Sequence, residues 1–543
     1  MSESKNMVPK IDLKFTDFLK KFDDLGKGEW IVAYSSHRDD SEWSGFYSPL
    51  ISEERIEKSL SDPSWDLSIG NGLPGFSFHF ENGKEIGTYS KCSNDGIEPL
   101  IIWRSFHGMK DGYWEVSEEF RHYFNLYEDR PHNKFVLIDD NGDDEDVILM
   151  SDDEIKIKLR LIKEFLAVKK MRLALFFDFN RFSEKTIEEL GIKEYHEHKK
   201  GNNFVYSIGA RNWDSFSDDK KKSQGFLMGK KFILGLKDFE PKLFNRDEKK
   251  FVDFVIGIDE NGKEITHTCD EDKLANFFGK NKGSPYFVTP AFFTKDVLTK
   301  YYSQPNKYSV EDGYLRCGGM WGLRMDNNHP DFVMAFLGDL GHLSYKEQLH
   351  WKSFNVATKG KMSHTAWARG FEAKFTNPEK SDLFLKQKFA SFQEAWEKKF
   401  GWKLFKPLNK EDEHYFKTLR VPLTNEQKEF DEQVLAITKF FIDSLNEQEL
   451  GKGLTIAKEN PKGLDKLEAF LLSKGMRFNS MMEFLRNLQT LRSTGVAHRK
   501  GDNYEKAKKF FAIGEKDLPV IFDDILIKCI WVLNALESRF IKS

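Results

Sequence analysis

An arginine and a histidine near the end of the chain have the residue types that phosphodiester cleavage requires. Arg492 and His498 lie in the segment LRSTGVAHRK, residues 491–500, with five residues between them. The arginine supplies a fixed positive charge, and the histidine can accept or donate a proton near neutral pH. The pair therefore suits phosphodiester cleavage without a metal ion.

A straight helix would not bring these two side chains together. Six residues turn an α-helix through about 600°, which leaves the two side chains roughly 240° apart around the axis. Gly495 lies between them and is the residue most able to end or distort a helix at this point. We therefore expect the chain to bend at Gly495, so that His498 approaches Arg492.

Amphipathic helices surround this segment. Thr424 and Gln427 form a capping box, after which apolar residues recur every three or four positions. The same spacing predicts three more main helices and a short helical piece in residues 504–511. The four apolar stripes are Phe430, Val434, Ile437, Phe441 and Leu445; Leu464, Leu467 and Leu471; Met481, Leu485, Leu488 and Leu491; and Leu518, Phe522, Ile525, Cys529, Val532 and Leu536. These helices predict a bundle, with Arg492 at the far end of the third helix.

This C-terminal region resembles the HEPN superfamily, whose ribonuclease members carry an Arg followed four to six residues later by a His. The resemblance covers about 120 of the 543 residues. Family members often have Asn or another polar residue directly after the Arg, and Ser493 fits the looser form of this pattern. The resemblance implies that Arg492, His498 and Ser493 are catalytic, and that two copies of the bundle pair as a homodimer.

A run of basic residues surrounds the Arg-His pair. Residues 477–509 contain eight Lys or Arg and three Asp or Glu, whereas the whole chain has a net charge of −4 and a pI near 6.4. The chain as a whole is therefore not basic, and RNA would have to bind this local patch. We predict that Arg486, Arg499 and Lys500 bind the RNA substrate; a solvated helix face is the alternative interpretation.

Length and composition predict several folded domains in a cytoplasmic protein. The chain is 39% hydrophobic and 14% aromatic, which is ample for packed cores in about three domains. Its four cysteines lack the spacing of a disulfide framework or a zinc ribbon. The first residues have no apolar signal core, and no long uncharged apolar stretch follows. We expect no metal, no cofactor and no membrane partner.

Residues 1–280 are predicted to form a strand-rich α+β region. Asn-Gly turns predict three antiparallel hairpins, Phe76–Tyr89, Lys134–Met150 and Phe254–His267. Apolar residues at helical spacing predict a helix over Asp152–Lys170. The sequence leaves open whether this region is one domain or two, and the polar stretch 199–222 is the best internal boundary.

Residues 281–408 form a second α/β region that is dense in aromatic residues. Residues 316–324 are predicted as a hairpin with a Gly-Gly turn, and residues 331–337 as a buried strand. Core packing is the expected role of the aromatics, and a base-stacking platform is the alternative. Glu347 and His350 share one helix face and form either a hydrogen-bonded surface pair or a polar site. A Pro-marked stretch then leads into the predicted helical bundle, residues 409–543.

Two main classes of function and one further alternative follow, and the intact Arg and His favour the first class. The first is a metal-independent endoribonuclease that leaves 2′,3′-cyclic phosphate ends and is regulated by its N-terminal regions. The HEPN resemblance implies a bacterial anti-phage defence or toxin-type system, with a phage-derived or nucleotide trigger. The second is a non-catalytic HEPN-like module for binding or dimerisation in a sensor or adaptor. A third, an enzyme whose site includes Glu347 and His350, would place the chemistry in the middle region.

Overall fold

The chain divides into two compact units of mixed structure. The computed structural model describes residues 12–66, 75–90, 96–213, 220–237, 239, 249–276, 278–357, 363–370, 372, 376–495 and 502–542. One unit consists of Met1–Asp139 with Asp143–Arg246, and the other of Asp140–Gly142 with Asp247–Ser543. Both contain strands and helices, so the class is α+β, as predicted. No helix among the described residues is both long and apolar enough to cross a membrane.

The first unit is built on a large antiparallel sheet. Its strands are β1 (Trp30–Arg38), β2 (Glu42–Tyr47), β3 (Pro49–Ser52), β4 (Gly75–Glu81), β5 (Lys84–Ser90), β6 (Ile97–Pro99), β7 (Ile101–Arg104), β8 (Tyr113–Val116), β9 (Tyr127–Asp129), β10 (Lys134–Ile138), β11 (Asp144–Met150), β12 (Glu154–Lys158), β13 (Met171–Ser183), β14 (Tyr195–Lys200), β15 (Phe204–Asn212) and β16 (Ser223–Ile233). The sheet runs in the order β14-β15-β16-β13-β2-β1-β12-β11-β10-β9, and β3 pairs with both β13 and β6. Two separate hairpins, β4-β5 and β7-β8, complete the described strands of this unit.

Four helices accompany these strands within the described part of the first unit. They are α1 (Thr16–Lys21), α2 (Ile56–Ser59), α3 (Glu118–Tyr123) and α4 (Leu159–Lys169). The apolar side of α4 is buried in the same core as strand residues Ile31, Ile155 and Leu173. Burial of this helix face against the sheet is what holds the two layers together.

The second unit begins with strands and ends with helices. Its strands are β17 (Asp253–Ile258), β18 (Glu264–Thr268), β19 (Pro290–Thr294), β20 (Tyr308–Glu311), β21 (Tyr314–Cys317), β22 (Trp321–Asp326), β23 (Phe332–Phe336) and β24 (Asn355–Val356). Its α-helices are α5 (Thr299–Tyr302), α6 (Leu337–Gly341), α7 (Tyr345–Ser353), α8 (His364–Gly370), α9 (Ser381–Phe400), α10 (Glu413–Thr418), α11 (Gln427–Thr438), α12 (Glu447–Gly451), α13 (Gly463–Ser473), α14 (Asn479–Gly495), α15 (Asp502–Phe510) and α16 (Leu518–Phe540). A π-helical segment, Lys439–Asp443, continues α11.

The hairpins predicted from Asn-Gly turns are confirmed. β4 pairs with β5, β10 with β11 and β17 with β18, all antiparallel. In the first of these turns Asn82 and Gly83 both have positive φ, 50° and 75°, as a two-residue hairpin turn of this kind requires. The predicted hairpin β21-β22 and the predicted buried strand β23 are also present.

The helix predicted over Asp152–Lys170 is wrong in its first part. Residues Glu154–Lys158 form β12, and the helix α4 begins only at Leu159. The sequence EIKIK alternates apolar and charged residues, and Ile155 and Ile157 are fully buried. This alternation suits a strand that is buried on one face, and pairing with β1 and β11 decides the outcome.

The polar stretch 199–222 does not separate two domains. β15 lies within this stretch and pairs with β14 on one side and with β16 on the other, so the strands before, within and after it belong to one sheet. Only its first residues, Lys199 and Lys200, lie on the exposed edge strand β14, whereas residues 205–210 of β15 are buried. Edge strands commonly carry charged side chains, which prevent pairing with other chains.

The apolar stripes predicted for the C-terminal helices are confirmed as core positions. All the stripe residues of α11, α13, α14 and α16 are buried and belong to one apolar cluster. Helix α9 joins this cluster through Leu385, Phe392 and Trp396, and it packs along α16. The helical region therefore begins at Ser381, upstream of residue 409, and the first unit ends at Arg246 rather than at residue 280.

The predicted capping box of Thr424 and Gln427 is wrong: the helix begins after Glu426 without a side-chain cap, and Glu429 in its first turn binds the preceding loop instead. The Glu429 carboxylate accepts hydrogen bonds from the backbone N–H groups of Leu423 and Thr424 and from the Thr424 hydroxyl. It also forms a 2.7 Å ion pair with Arg420. Burial raises the pKa of Glu429, but these bonds outweigh it and hold that pKa below its usual value. A carboxylate with two acceptor oxygens serves all these donors better than an amide.

Replacing Glu429 with Ala should lower the free energy of unfolding by about 1–3 kcal/mol, because several donors and the Arg420 guanidinium lose their acceptor. The exposed Glu432 on the same helix supplies the matched control, Glu432→Ala. Urea unfolding of the full chain measures both changes. Because the pKa of Glu429 is lowered in the folded state, its contribution should be present near neutral pH and lost as the pH falls below about 4. Equal unfolding midpoints for the two variants would contradict this role.

Candidate active site

Helix α14 carries the candidate arginine at its C-terminal end. Its apolar stripe ends at Leu491, which is buried, and the next residue, Arg492, is partly exposed. Gly495 is the last residue of the helix, at the position where the sequence predicts a bend. The stripe anchors the helix in the core, so that the Arg492 side chain emerges where the helix meets solvent.

Arg492 is held by a carboxylate from a neighbouring helical segment. Its Nη1 lies 2.9 Å from each carboxylate oxygen of Asp443. Both side chains are about 30% exposed. Burial raises the pKa of Asp443, and the positive charges of Arg492 and Lys439 only partly offset this effect. The contact fixes the direction of the guanidinium and leaves most of its other donors unused by described residues.

Asp443 reaches Arg492 from the π-helical segment that follows α11. Phe440, Phe441 and Ile442 of this segment are buried, so the acid that follows them stands at the edge of the core. A π-helical turn adds a residue to the helix and is often found at functional sites. Lys439 in the same segment lies 3.7 Å from Asp412. Two carboxylates and two cations therefore alternate around the end of α14.

Ser493 is exposed and bonded to its own helix. Its hydroxyl donates to the carbonyl oxygen of Gln489 at 2.9 Å, with a longer contact to Thr490 at 3.3 Å. Such a bond to the preceding turn is common for serine in helices. The oxygen keeps its lone pairs and could still accept a hydrogen bond from a substrate hydroxyl.

Arg486 is bound by two carboxylates, although its side chain is 41% exposed. Its guanidinium lies 3.1 Å from Asp465 and 2.7 Å from Glu468, both on α13. Partial burial lowers the pKa of Arg486, but these two carboxylates raise it more strongly, so the charge is firmly held. The predicted RNA-binding role of Arg486 stays a prediction, and the observed contacts join α13 to α14.

The remaining predicted site residues, His498, Arg499 and Lys500, lie outside the described residues. The approach of His498 to Arg492 therefore stays a prediction. Among the described residues, no three or more His, Cys, Asp or Glu side chains are grouped so that they could hold a metal ion.

Glu347 and His350 of the middle region do not form the predicted surface pair. Glu347 is 1% exposed and accepts hydrogen bonds from the Tyr301 hydroxyl at 2.7 Å and from Lys300 at 2.5 Å. His350 instead donates to the carbonyl oxygen of Val297 at 2.9 Å, and burial lowers its pKa. Helical spacing placed the two residues on one side of α7, but the core around Tyr301 gives each a different partner.

Most of the middle-region aromatics are core residues, as expected. Phe293, Tyr301 and Tyr308 are buried, and Tyr301 packs edge-to-face against Tyr308 at 4.9 Å between ring centroids. The Trp351 indole N–H donates to the Tyr301 hydroxyl at 2.8 Å, which extends the network that begins at Glu347. The buried polar groups of Glu347, Tyr301 and Trp351 therefore all have hydrogen-bond partners.

Asp443 was not among the residues predicted from the sequence. The signal available was an acid directly after three apolar residues, in a stretch that otherwise follows the stripe of α11. Helical spacing alone does not predict a π-helical turn, so it could not show which residue faces Arg492.

Comparison with known proteins identifies no protein that this chain resembles significantly. No family model matches the chain, and searches of curated proteins and of solved structures gave no significant match.

We predict a measurable interaction between Asp443 and Arg492. In a double-mutant cycle of Asp443→Ala and Arg492→Ala, the coupling free energy should be about 0.5–1 kcal/mol, since both side chains are partly exposed and screened. Urea unfolding of wild type, both single variants and the double variant gives this value. The coupling should shrink in about 1 M salt, where the screening length is roughly 3 Å. Additive effects at low salt would show that the contact contributes nothing.

Proposed function

We propose that this protein is a metal-independent endoribonuclease whose active site lies at the end of α14. The observation that supports it best is the state of Arg492, which is accessible, oriented by Asp443 and six positions before His498. Only Nη1 contacts a described residue, so Nε and Nη2 keep N–H donors that could bind phosphate oxygens. A guanidinium fixed in this way is suited to stabilising negative charge on phosphate.

In the proposed reaction, His498 removes the proton from a ribose 2′-hydroxyl. The 2′-oxygen then forms a bond to phosphorus while the bond from phosphorus to the 5′-oxygen breaks. Arg492 stabilises the negative charge on the non-bridging oxygens, and the departing 5′-oxygen takes up a proton. The products end in a 2′,3′-cyclic phosphate and a 5′-hydroxyl. Ser493 lies next to Arg492 and is assigned a hydrogen bond to the substrate.

The biological setting follows from the HEPN resemblance. We place the enzyme in the cytoplasm, with RNA as its substrate, in a bacterial anti-phage defence or toxin-type system. The N-terminal regions would respond to a phage-derived or nucleotide trigger and control the nuclease. Arg499 and Lys500 would add positive charge for RNA beside the Arg-His pair.

Dimerisation would complete a site that has one Arg and one His per chain. The exposed face of α16 supports it, because Val520, Ile527 and Trp531 are 49%, 51% and 45% exposed. Spacings of seven and four residues put the three side chains within about 40° of one another around the helix axis. An apolar stripe of this kind is typical of a surface that pairs with a copy of itself.

The same stripe also favours a second candidate function, a non-catalytic module for binding or dimerisation. In that case the bundle would pair through α16, and the contact of Arg492 with Asp443 would be structural. The two candidates differ in one result, which is whether the purified protein cuts RNA.

Cleavage of RNA should continue in EDTA and should depend on both members of the pair. His498→Ala should reduce the rate roughly 10²- to 10⁴-fold, since it removes the proton carrier. Arg492→Ala should reduce it roughly 10²- to 10³-fold, since it removes the stabilising charge. A gel assay of end-labelled RNA measures the rates, and enzymatic or mass analysis of the fragments identifies the cyclic phosphate.

Matched controls separate catalysis from folding in this experiment. Arg130→Ala and His122→Ala change exposed residues of the same types outside the basic run and should leave both cleavage and the melting temperature unchanged. His498→Ala and Arg492→Ala should also melt close to wild type. Loss of cleavage in EDTA, or cleavage of DNA that lacks the 2′-hydroxyl, would rule out the proposed mechanism. Undiminished cleavage by both site variants would refute Arg492 and His498 as the active site. No cleavage by the purified wild type would favour the non-catalytic module.

The exposed stripe of α16 should control the oligomeric state. Ile527→Glu with Trp531→Glu should convert a dimer into a monomer, because two charges would be buried without partners at the interface. Leu472→Glu, a change at a side chain that is 50% exposed on α13, is the control and should leave the dimer intact. Light scattering measures the mass. A wild-type protein that is monomeric yet cuts RNA would refute this arrangement.

A further inference from the structure

A cavity of about 520 Å³ lies within the second unit, at the end of the helical core where α9 and α16 begin. Its wall is formed by the turn after β19, the end of α5, the segment from β22 to β23, and the loop before α11. The polar residues that line it are Lys295, Asn327, Lys380, Asp382, Arg420 and Asp523. A cavity of this volume is large enough for a small organic ligand.

Two long helices direct their N-termini at this cavity. α9 has 20 residues and α16 has 23, and the first turns of both contribute to its wall. The helices run in the same direction, because Ser381 bonds to Asp523 near their starts and Lys388 bonds to Glu537 further along. The N-cap residues, Lys380 and Asp517, make no side-chain capping bond, and only two first-turn N–H groups have side-chain acceptors: Leu518 donates to Asn425 Oδ1 at 2.7 Å and Leu383 to Asp382 Oδ1 at 2.8 Å. The positive ends of both helix dipoles therefore favour an anion at this place.

Two lysines at the cavity lack a carboxylate partner. The side-chain ammonium groups of Lys295 and Lys380 make no hydrogen bond or close ion pair with any residue that the structure describes, although the Lys380 backbone N–H contacts Asn328 Oδ1 at 3.5 Å. Burial lowers the pKa of Lys380; the carboxylates of Asp382 and Asp326 partly offset this effect, and the neighbouring charge of Lys295 lowers the pKa further. Two ammonium groups that repel one another in a partly buried wall would be stabilised by an anion that bridges them.

Arg420 offers a third donor to the cavity. One end of its guanidinium pairs with Glu429, and the plane lies over the ring of Tyr302 at 4.7 Å. Its Nε is buried and has no hydrogen-bond partner among the described residues. A buried N–H without an acceptor is unfavourable, so this donor also points to a missing acceptor group.

The two carboxylates at the cavity are already occupied by protein donors. Asp382 accepts the backbone N–H groups of Leu383 and Val421, at 2.8 Å and 3.0 Å. Asp523 accepts the hydroxyl of Ser381. These bonds hold the wall together and leave the lysines as the charged groups without close partners.

We infer that this cavity binds a phosphorylated small molecule of about nucleotide size. The phosphate would contact Lys295, Lys380 and the N-termini of α9 and α16, where charged donors and helix dipoles act together. The remaining wall is largely apolar and includes Leu298, Val333, Val421, Pro422 and Pro519, which suits a ring-containing body. This site is separate from Arg492, and the inference does not depend on the nuclease assignment.

Titration calorimetry of the full-length protein with adenosine 5′-monophosphate tests this inference. The nucleotide should bind with one site per chain, inorganic phosphate should bind more weakly, and adenosine should not bind. Lys295→Gln and Lys380→Gln should each weaken nucleotide binding roughly tenfold or more, because each removes a charged hydrogen bond to phosphate. Lys380→Arg should retain binding, since it keeps the charge.

Control variants make the outcome specific to the cavity. Lys399→Gln changes an exposed lysine near the other end of α9 and should bind as wild type does. Arg492→Ala should also bind normally, and a loss of binding there with retention in the two lysine variants would place the ligand at the other site and overturn the inference. Failure of both the nucleotide and inorganic phosphate to bind overturns it as well. Equal binding of adenosine and its monophosphate would do the same.

Discussion

The apolar core around α16 is the constraint on which the helical region depends. Eleven residues of this helix are buried, and α9, α11, α13 and α14 contribute to the same cluster. Burial of one large apolar side chain stabilises a fold by about 1.5–3 kcal/mol, whereas an exposed ion pair contributes about 1 kcal/mol or less. The core therefore sets the helix positions. The helix positions in turn determine where the polar groups lie. These groups are Arg492 with Asp443 at one end of the core, and Lys295 with Lys380 at the other.

The charges along α14 show why counting basic residues overstates an RNA-binding surface. Arg486 is neutralised by Asp465 and Glu468, and its contacts connect two helices. Arg492 has one carboxylate partner and keeps donors that no described residue uses. Two arginines six positions apart on one helix thus differ in what they can do for a phosphate, and the difference comes from the helices packed beside them.

The sequence predicts those parts of the structure that local pattern decides. Asn-Gly turns gave the hairpins β4-β5, β10-β11 and β17-β18, and the apolar stripes gave α11, α13, α14 and α16. Features decided by distant partners were not predictable in this way. Glu154–Lys158 is a strand because β1 and β11 lie beside it, and Glu429 becomes the acceptor at the start of α11 because Arg420 and the preceding loop reach it. At the candidate site the spacing identified Arg492, but Asp443 depends on a π-helical turn, and His498 lies outside the described residues.

One helix carries the carboxylates that hold an arginine at each of the two proposed sites. Glu429 in the first turn of α11 binds Arg420 at the cavity, and Asp443 at the end of the π-helical continuation binds Arg492. The two acids are fourteen positions apart, which corresponds to roughly 20 Å along a helix axis. Because buried Phe430, Val434 and Ile437 fix the helix between them, the separation of the two acids is set by the core, and each acid holds its own arginine at a fixed place relative to that core.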